Sequence, residues 1–258
     1  MKKIQIYPSL YKQKHIRKKT TSISHSLHKK TIISFIFTSL LCLCGCTTTP
    51  YSRLYIINEN ASSGIYDPSL EYDENETGWM AYAAVEEPKY VHTHLATSPD
   101  HGKTWTYTTT LNQAVDDESI IEGGVWRQEV PLLLHDPHDP GKDWKLYWHT
   151  YLCKPPYTPD DRMFEYGWIA YKYAPHPTGP WSDPIALFGA GSYPLNPYNT
   201  QINLNTLHDD LTDFIVYTEP GGIVIDDVIY LSLTGHFFQN NELIGKTILI
   251  ASYDHGKT

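Results

Sequence analysis

Residues 98–105 read Ser98-Pro-Asp-His-Gly-Lys-Thr-Trp105, and residues 252–258 repeat them almost letter for letter as Ser252-Tyr-Asp-His-Gly-Lys-Thr258. A degenerate copy lies between, Ala174-Pro-His-Pro-Thr-Gly-Pro-Trp181. The three begin 76 and 78 residues apart, a period that marks a repeated supersecondary unit. The residue types are those of a tight turn. Asp100 and Asp254 can accept hydrogen bonds from turn amides, Gly102 and Gly256 permit φ > 0, and Trp105 can pack back between sheets. Ser98, Asp100, Gly102, Thr104, Trp105, Ser252, Asp254 and Gly256 therefore read as structural rather than catalytic.

Outward from these turns, the chain beyond residue 60 shows no sustained 3.6-residue apolar stripe. Short β-rich runs alternate with turns instead. Examples are Trp79–Val85, Lys145–Tyr151, Gly167–Tyr173 and Val228–Leu233, separated by turn chemistry such as Asp73–Gly78, Asp136–Gly141 and Pro220-Gly-Gly222. Each turn copy follows a similar block in which an extended segment carries an acid. The acids are Asp67, Glu129 and Glu219, lying 31, 45 and 33 residues before their turns. That phase predicts one acid at the start of each innermost strand.

The two good turns resemble the Asp-box, or BNR repeat, Ser-x-Asp-x-Gly-x-Thr-Trp. The middle Gly-Pro-Trp turn resembles the equivalent corner of five-bladed arabinanase- and fructosidase-type propellers. The resemblance implies an all-β fold, a β-propeller of four-stranded antiparallel blades. About three blades of a five- or six-bladed ring are expected in residues 66–258, with breaks near 120–127 and 190–215 and an irregular crossing loop over Gly189–Asn205. Because the last turn stops where a Trp should follow, the sequence is expected to be truncated. A compact variant that closes otherwise is the alternative.

Two families set the functional expectation. Sialidases carry Asp-boxes on six blades, but their site needs an arginine triad, and residues 46–258 offer only Arg53, Arg127 and Arg162. The five-bladed glycosidases use three carboxylates from successive inner strands: a base or nucleophile, a pKa modulator and a general acid. Asp67, Glu129 and Glu219 match that arrangement by position, with Glu129 where those families have Asp. Two carboxylates flanking a glycosidic bond, one protonated and one ionised, are what hydrolysis requires. The resemblance thus implies a glycoside hydrolase-like propeller acting on or binding carbohydrate, without a cofactor. The alternatives are a non-catalytic glycan- or protein-binding propeller and an inactive fragment.

Around the acids, Arg127, Trp148 and His236 are candidates for binding substrate. Trp148 and its neighbours Tyr147 and His149 could stack on sugar rings, against the plainer reading of a strand alternating between core and surface. His92 and His94 share a strand face, read as solvated rather than as a metal pair. Asp116-Asp-Glu118 reads as a solvated loop, and Cys153 as incidental. No metal site is expected.

The charge is divided. Nine of the chain's 20 basic side chains lie in residues 1–45, which hold no acid. The remainder sets 11 basic against 29 acidic groups, a net of −18. So acidic a body repels phosphate backbones and excludes nucleic acid as a partner. The basic stretch runs into the apolar segment 31–45 and ends Leu43-Cys44-Gly45-Cys46. This has the layout of a signal peptide and resembles a bacterial lipobox. It implies cleavage before Cys46, diacylation of Cys46 and membrane contact through that lipid. Thr47 in place of Asp implies an outer-membrane, cell-envelope location. An uncleaved anchor is the alternative. The expected layout is a signal peptide over 1–45, a tether over 46–65 and the partial propeller over 66–258.

Overall fold

Three successive antiparallel meanders make up the computed structural model, which describes residues 54–189 and 200–256. The first holds β1 (Ile56–Ile57), β2 (Gly64–Tyr72), β3 (Gly78–Val85), β4 (Val91–Ser98) and β5 (Trp105–Asn112), in the order β1-β5-β4-β3-β2. The second holds β6 (Val115–Asp116), β7 (Val125–His135), β8 (Trp144–Cys153), β9 (Arg162–Ala174), β10 (Ile185–Gly189) and β11 (Ile202–Asn203), in the order β11-β10-β9-β8-β7-β6. The third holds β12 (Val216–Ile225), β13 (Val228–Gln239) and β14 (Glu242–Ser252) in chain order. Their first long strands β2, β7 and β12 lie in series, β2 against β7 and β7 against β12. The fold is all-β and propeller-like, with these sheets as blades 1, 2 and 3.

Blades 1 and 2 stack through middle strands β3 and β8 that are buried on both faces, whereas β13 of blade 3 alternates buried and half-buried residues. Every residue of β8 is buried, the continuous pattern of a strand covered on two sides. Trp79, Ala81 and Leu95 of blade 1 meet Leu133, Trp144, Leu146, Trp148 and Ala170 of blade 2. A larger cluster joins blades 2 and 3, with Leu132, Tyr147 and Tyr171 against Tyr217, Leu231 and Ile248. Each fully buried large side chain contributes roughly 1.5–3 kcal/mol.

The repeated turns close the third strand of each blade. In the first, Ser98 Oγ donates to Asp100 Oδ1 at 2.9 Å and the Gly102 amide donates to Ser98 Oγ at 2.8 Å. The Thr104 amide and hydroxyl donate to Asp100 at 2.8 and 2.7 Å. In the other, Ser252 Oγ donates to Asp254 Oδ1 and the Gly256 amide to Ser252 Oγ, both at 2.8 Å. Gly102 and Gly256 take φ of 82° and 85°, where a side chain would be strained.

Several boundaries shift. Residues 56–65 belong to blade 1 rather than to a tether: β1 pairs with β5, and Ile56, Ala61 and Ile65 cover Met80, Tyr82 and Trp105. The first blade break falls at 113–114, between β5 and β6, earlier than the expected 120–127, since β6 already pairs with β7 in the second sheet. The second falls between β10 and β12, as expected. Within the crossing segment, residues 190–199 lie outside the described residues, and Ile202–Asn203 is ordered against β10. The signal segment and Cys46 also lie outside them.

Candidate functional site

Each inner strand carries the same irregularity. From Tyr66 to Ser69, from Glu129 to Leu132 and from Thr218 to Gly221, three steps on the inner strand oppose two on its neighbour. These are β-bulges. A proline follows the first inserted residue each time, Pro68, Pro131 and Pro220, and proline at a bulge sacrifices no ladder donor. The residue before it has positive φ: Asp67 at 51°, Val130 at 51° and Glu219 at 54°. Asp67, Val130 and Glu219 are thus equivalent positions, and Glu129 stands one residue earlier, level with Tyr66 and Thr218. The three acids lie at mid-strand bulges rather than at strand starts, and Glu129 is one residue out of phase.

They nevertheless come together electrostatically. Partial desolvation, then the charges of Glu129 and Glu219, push the Asp67 carboxyl above its ordinary pKa, while Arg162 opposes them. Glu129 Oε2 accepts the Tyr151 hydroxyl at 2.5 Å, and Glu219 Oε2 accepts Thr234 Oγ1 at 3.3 Å. Asp67 and Glu219 are exposed and Glu129 is half-buried, so the cluster opens to solvent.

Two histidines adjoin it. His236 Nε2 lies 3.0 Å from Thr218 Oγ1. Burial lowers its pKa and the nearby Glu219 charge opposes the shift. His149 pairs across from Glu129 in the β7–β8 ladder and is buried. Desolvation, then His236 and Arg162, hold it down to about 3, which keeps it neutral near neutral pH. Its Nε2 has no hydrogen-bond partner among the described residues. Gly167 makes room for that ring: a Cβ there would stand 2.8 Å from Nε2.

Other candidates fall elsewhere. Arg127 is buried and donates to the Lys89 carbonyl at 3.1 Å, to the Pro88 carbonyl and to the Tyr157 carbonyl at 3.2 Å. Its guanidinium ties these loops together and also adjoins the Tyr151 phenol that meets Glu129, opposing the rise in that phenol's pKa. Trp148 is sealed between blades 1 and 2 and donates to Gln128 Oε1 at 2.6 Å, because both faces of β8 are covered. Tyr147 is likewise core. His92 and His94 are buried, not solvated: the rings stack at 5.8 Å, His92 Nδ1 accepts the Ala114 amide, and His94 Nδ1 lies 2.9 Å from Glu59 Oε2. Asp116 pairs with Lys89 at 2.8 Å and Asp117 accepts from Trp126. Cys153 is buried beside Tyr151. Among the described residues no group of three or more His, Cys, Asp or Glu is placed to hold a metal ion.

Arg162 and Tyr151 are the site neighbours that sequence reasoning does not reach, whereas His149 is reached only as a neighbour of Trp148. Tyr151 lies one strand over from Glu129 on the same face, a relation visible only once register is known. Arg162 follows a turn after β8 and stacks over Phe164 at 5.4 Å.

No protein-family model matches the chain, and no curated protein matches it. Among solved structures, it is similar to a family 117 glycoside hydrolase of the marine bacterium Zobellia galactanivorans, at 17% identity and TM-score 0.48 over 80% of this chain and 58% of that one. It is similar to an α-L-arabinofuranosidase of Fusarium graminearum at 12% identity and TM-score 0.48, over 74% and 47% of the two chains. A Trypanosoma rangeli sialidase gives 14% and 0.41, over 76% and 30%. The chain thus spans little more than half of the first of these and less of the others.

Proposed function

We propose that the protein is a carbohydrate-active, glycoside hydrolase-like propeller. The observation that carries this reading is the shared electrostatics of Asp67, Glu129 and Glu219, delivered by bulges on successive inner strands. Asp67 is the base or nucleophile: a raised pKa strengthens a carboxylate as a base. Glu219 is the general acid that protonates the leaving oxygen, and Glu129 tunes the pair by like charge. Arg162, beside Asp67, and His236, beside Glu219, are placed to hold sugar hydroxyls. An exposed acidic cluster suits a glycoside better than an anionic polymer.

The N-terminal segment supports a lipid anchor on Cys46 and a cell-envelope, outer-membrane location, with residues 1–45 removed. Palmitate labelling lost in Cys46→Ala would support that part, and an unmodified wild-type product would overturn it. For the chemistry, a broad panel of aryl glycosides is the test. Turnover of one class, abolished by Asp67→Asn, is the expected result. In Glu219→Gln, an activated aryl leaving group should largely escape the defect, because it needs little protonation. Saturable sugar binding without turnover would favour the second reading, a glycan-binding propeller, which the exposed cluster equally supports.

A further inference from the structure

Strand β9 does not follow β8 evenly. Between the pairs Thr150–Trp168 and Leu152–Met163, two steps along β8 oppose five along β9. Residues 164–167 therefore bulge from the ladder opposite Tyr151, whose hydroxyl Glu129 accepts. Gly167 permits the bulge: a Cβ there would stand 2.8 Å from His149 Nε2 and 3.0 Å from the Phe164 carbonyl oxygen.

The bulge carries the Phe164 ring to the site. Its centroid lies 5.0 Å from that of Tyr151, at 81°, and 5.3 Å from that of His149, at 45°. The Arg162 guanidinium stands over the same ring, with Cζ 5.4 Å from the centroid. Arg162 Nε also donates to the Pro159 carbonyl at 3.0 Å. That carbonyl belongs to a single turn of 3₁₀ helix, Pro159–Asp161. Thr158 closes the turn by donating from its amide and hydroxyl to Asp161 Oδ2, at 2.9 and 2.6 Å. The guanidinium is thus held at one nitrogen by the turn and against the ring by cation–π attraction. All of these contacts are made within blade 2, between described residues.

We infer that Phe164 is a positioning residue of the carboxylate site: its ring holds the Arg162 guanidinium at the place from which that charge acts on Asp67. A long side chain left free would spread its charge over many rotamers. Asp67 feels Glu129 and Glu219 in one direction and Arg162 in the other. Each contribution depends on distance, so a ring that fixes the guanidinium fixes the balance. The inference rests on the reading of Asp67 as a member of that site and adds the group that tunes it.

The test reads the Asp67 midpoint by ¹³C NMR of the full chain, labelled at aspartate and assigned with Asp67→Asn. In Phe164→Leu the midpoint should rise by roughly 0.2–0.7 pH unit, the scale of a partly exposed ion pair, and should recover most of the rise seen in Arg162→Gln. Phe164→Tyr keeps the ring face and should hold the original value. In the Arg162→Gln background, Phe164→Leu should add no further rise. If Phe164→Leu does not fold, pentafluorophenylalanine at position 164 takes its place: it keeps the shape, reverses the charge of the ring face, and should raise the midpoint likewise. An unmoved midpoint overturns the inference, because Phe164 then only covers Val125 and Tyr151 within the blade. A rise of equal size with and without the arginine overturns it too. So does a fall, which would mean that losing the ring acts by admitting water. The three-carboxylate reading fails on a different result, an Asp67 midpoint indifferent to Glu129→Gln and Glu219→Gln, so the two failures are told apart.

Discussion

The Tyr151 hydroxyl, fully buried on β8, donates to Glu129 Oε2 on β7 at 2.5 Å. Burial, then the Glu129 charge, holds this phenol well above its usual pKa, so it stays a donor across the physiological range. Hydrogen bonds to charged groups contribute about 1.5–3 kcal/mol. Tyr151→Phe should therefore lower unfolding free energy by about 2 kcal/mol in urea titration, with an unchanged far-UV spectrum. A loss under about 0.5 kcal/mol would mean that the pair contributes little.

Lys172 supplies a pH prediction. Its ammonium is buried between the Trp148 and Trp181 rings and donates to the Leu111 carbonyl at 2.6 Å and Asn112 Oδ1 at 2.7 Å. Desolvation depresses its pKa from 10.5 to about 8. Between those values the unfolded chain binds more protons than the folded one, so stability rises with pH across that window and levels off above it. The gain is on the order of 3 kcal/mol. In Lys172→Met this component of the slope should vanish, leaving the other titrating groups, and the difference between the two stability–pH curves isolates it.

Glu59 tests whether residues 56–65 are part of the fold. Its carboxylate sits 2.9 Å from His94 Nδ1 and also accepts the Tyr82 hydroxyl. Burial raises its pKa, but the Tyr82 and His94 interactions outweigh this and leave it below 4.5. The stabilisation is thus present above pH 4.5 and lost as pH falls through the depressed value. Glu59→Ala, which strands two buried partners, should cost about 1–3 kcal/mol near neutral pH for each hydrogen bond left unmade, and its deficit should shrink on acidification. A neutral effect at pH 7 would restore the tether reading.

How much of this was legible in the sequence depends on how local the physics is. The turns were readable because the partners of Asp100 and Ser98 lie within four residues. That each inner strand carries an acid near its X-Pro step is legible from the spacing of the repeats. The placement of these acids was off because an X-Pro bulge shifts the phase by one residue, and the pattern around Glu129-Val130-Pro131 does not reveal which residue takes positive φ. Trp148 departs from its sequence expectation for another reason: a strand covered on both faces erases the alternation that separates core from surface. The loop carbonyls that hold Arg127 lie 30 or more residues away, and the Glu59 that meets His94 lies 35 residues from it, so neither environment is legible locally.

Val130 occupies the position that Asp67 and Glu219 fill on the other blades, at φ 51°. A β-branched residue in the left-handed region is strained by roughly 1–3 kcal/mol. Val130→Asn, a residue that tolerates this region, should raise the unfolding midpoint. A lower midpoint would show that valine's packing there outweighs the strain.

Asp67 offers the most direct check that the three carboxylates share one site. Its carboxyl can be titrated by ¹³C NMR after selective aspartate labelling, with Asp67→Asn assigning the signal. Glu129 and Glu219 raise its pKa by like charge and Arg162 lowers it. Glu129→Gln and Glu219→Gln should each move the midpoint down, and the double variant further. Arg162→Gln should move it up, because it removes the opposing positive charge. The signs are opposite, so a general change in solvation cannot imitate the pattern. Added salt should compress all three shifts, since the site is open to solvent. If neither glutamate substitution moves the midpoint, the carboxylates act as separate groups, the two-carboxylate mechanism loses its basis, and the glycan-binding reading stands in its place.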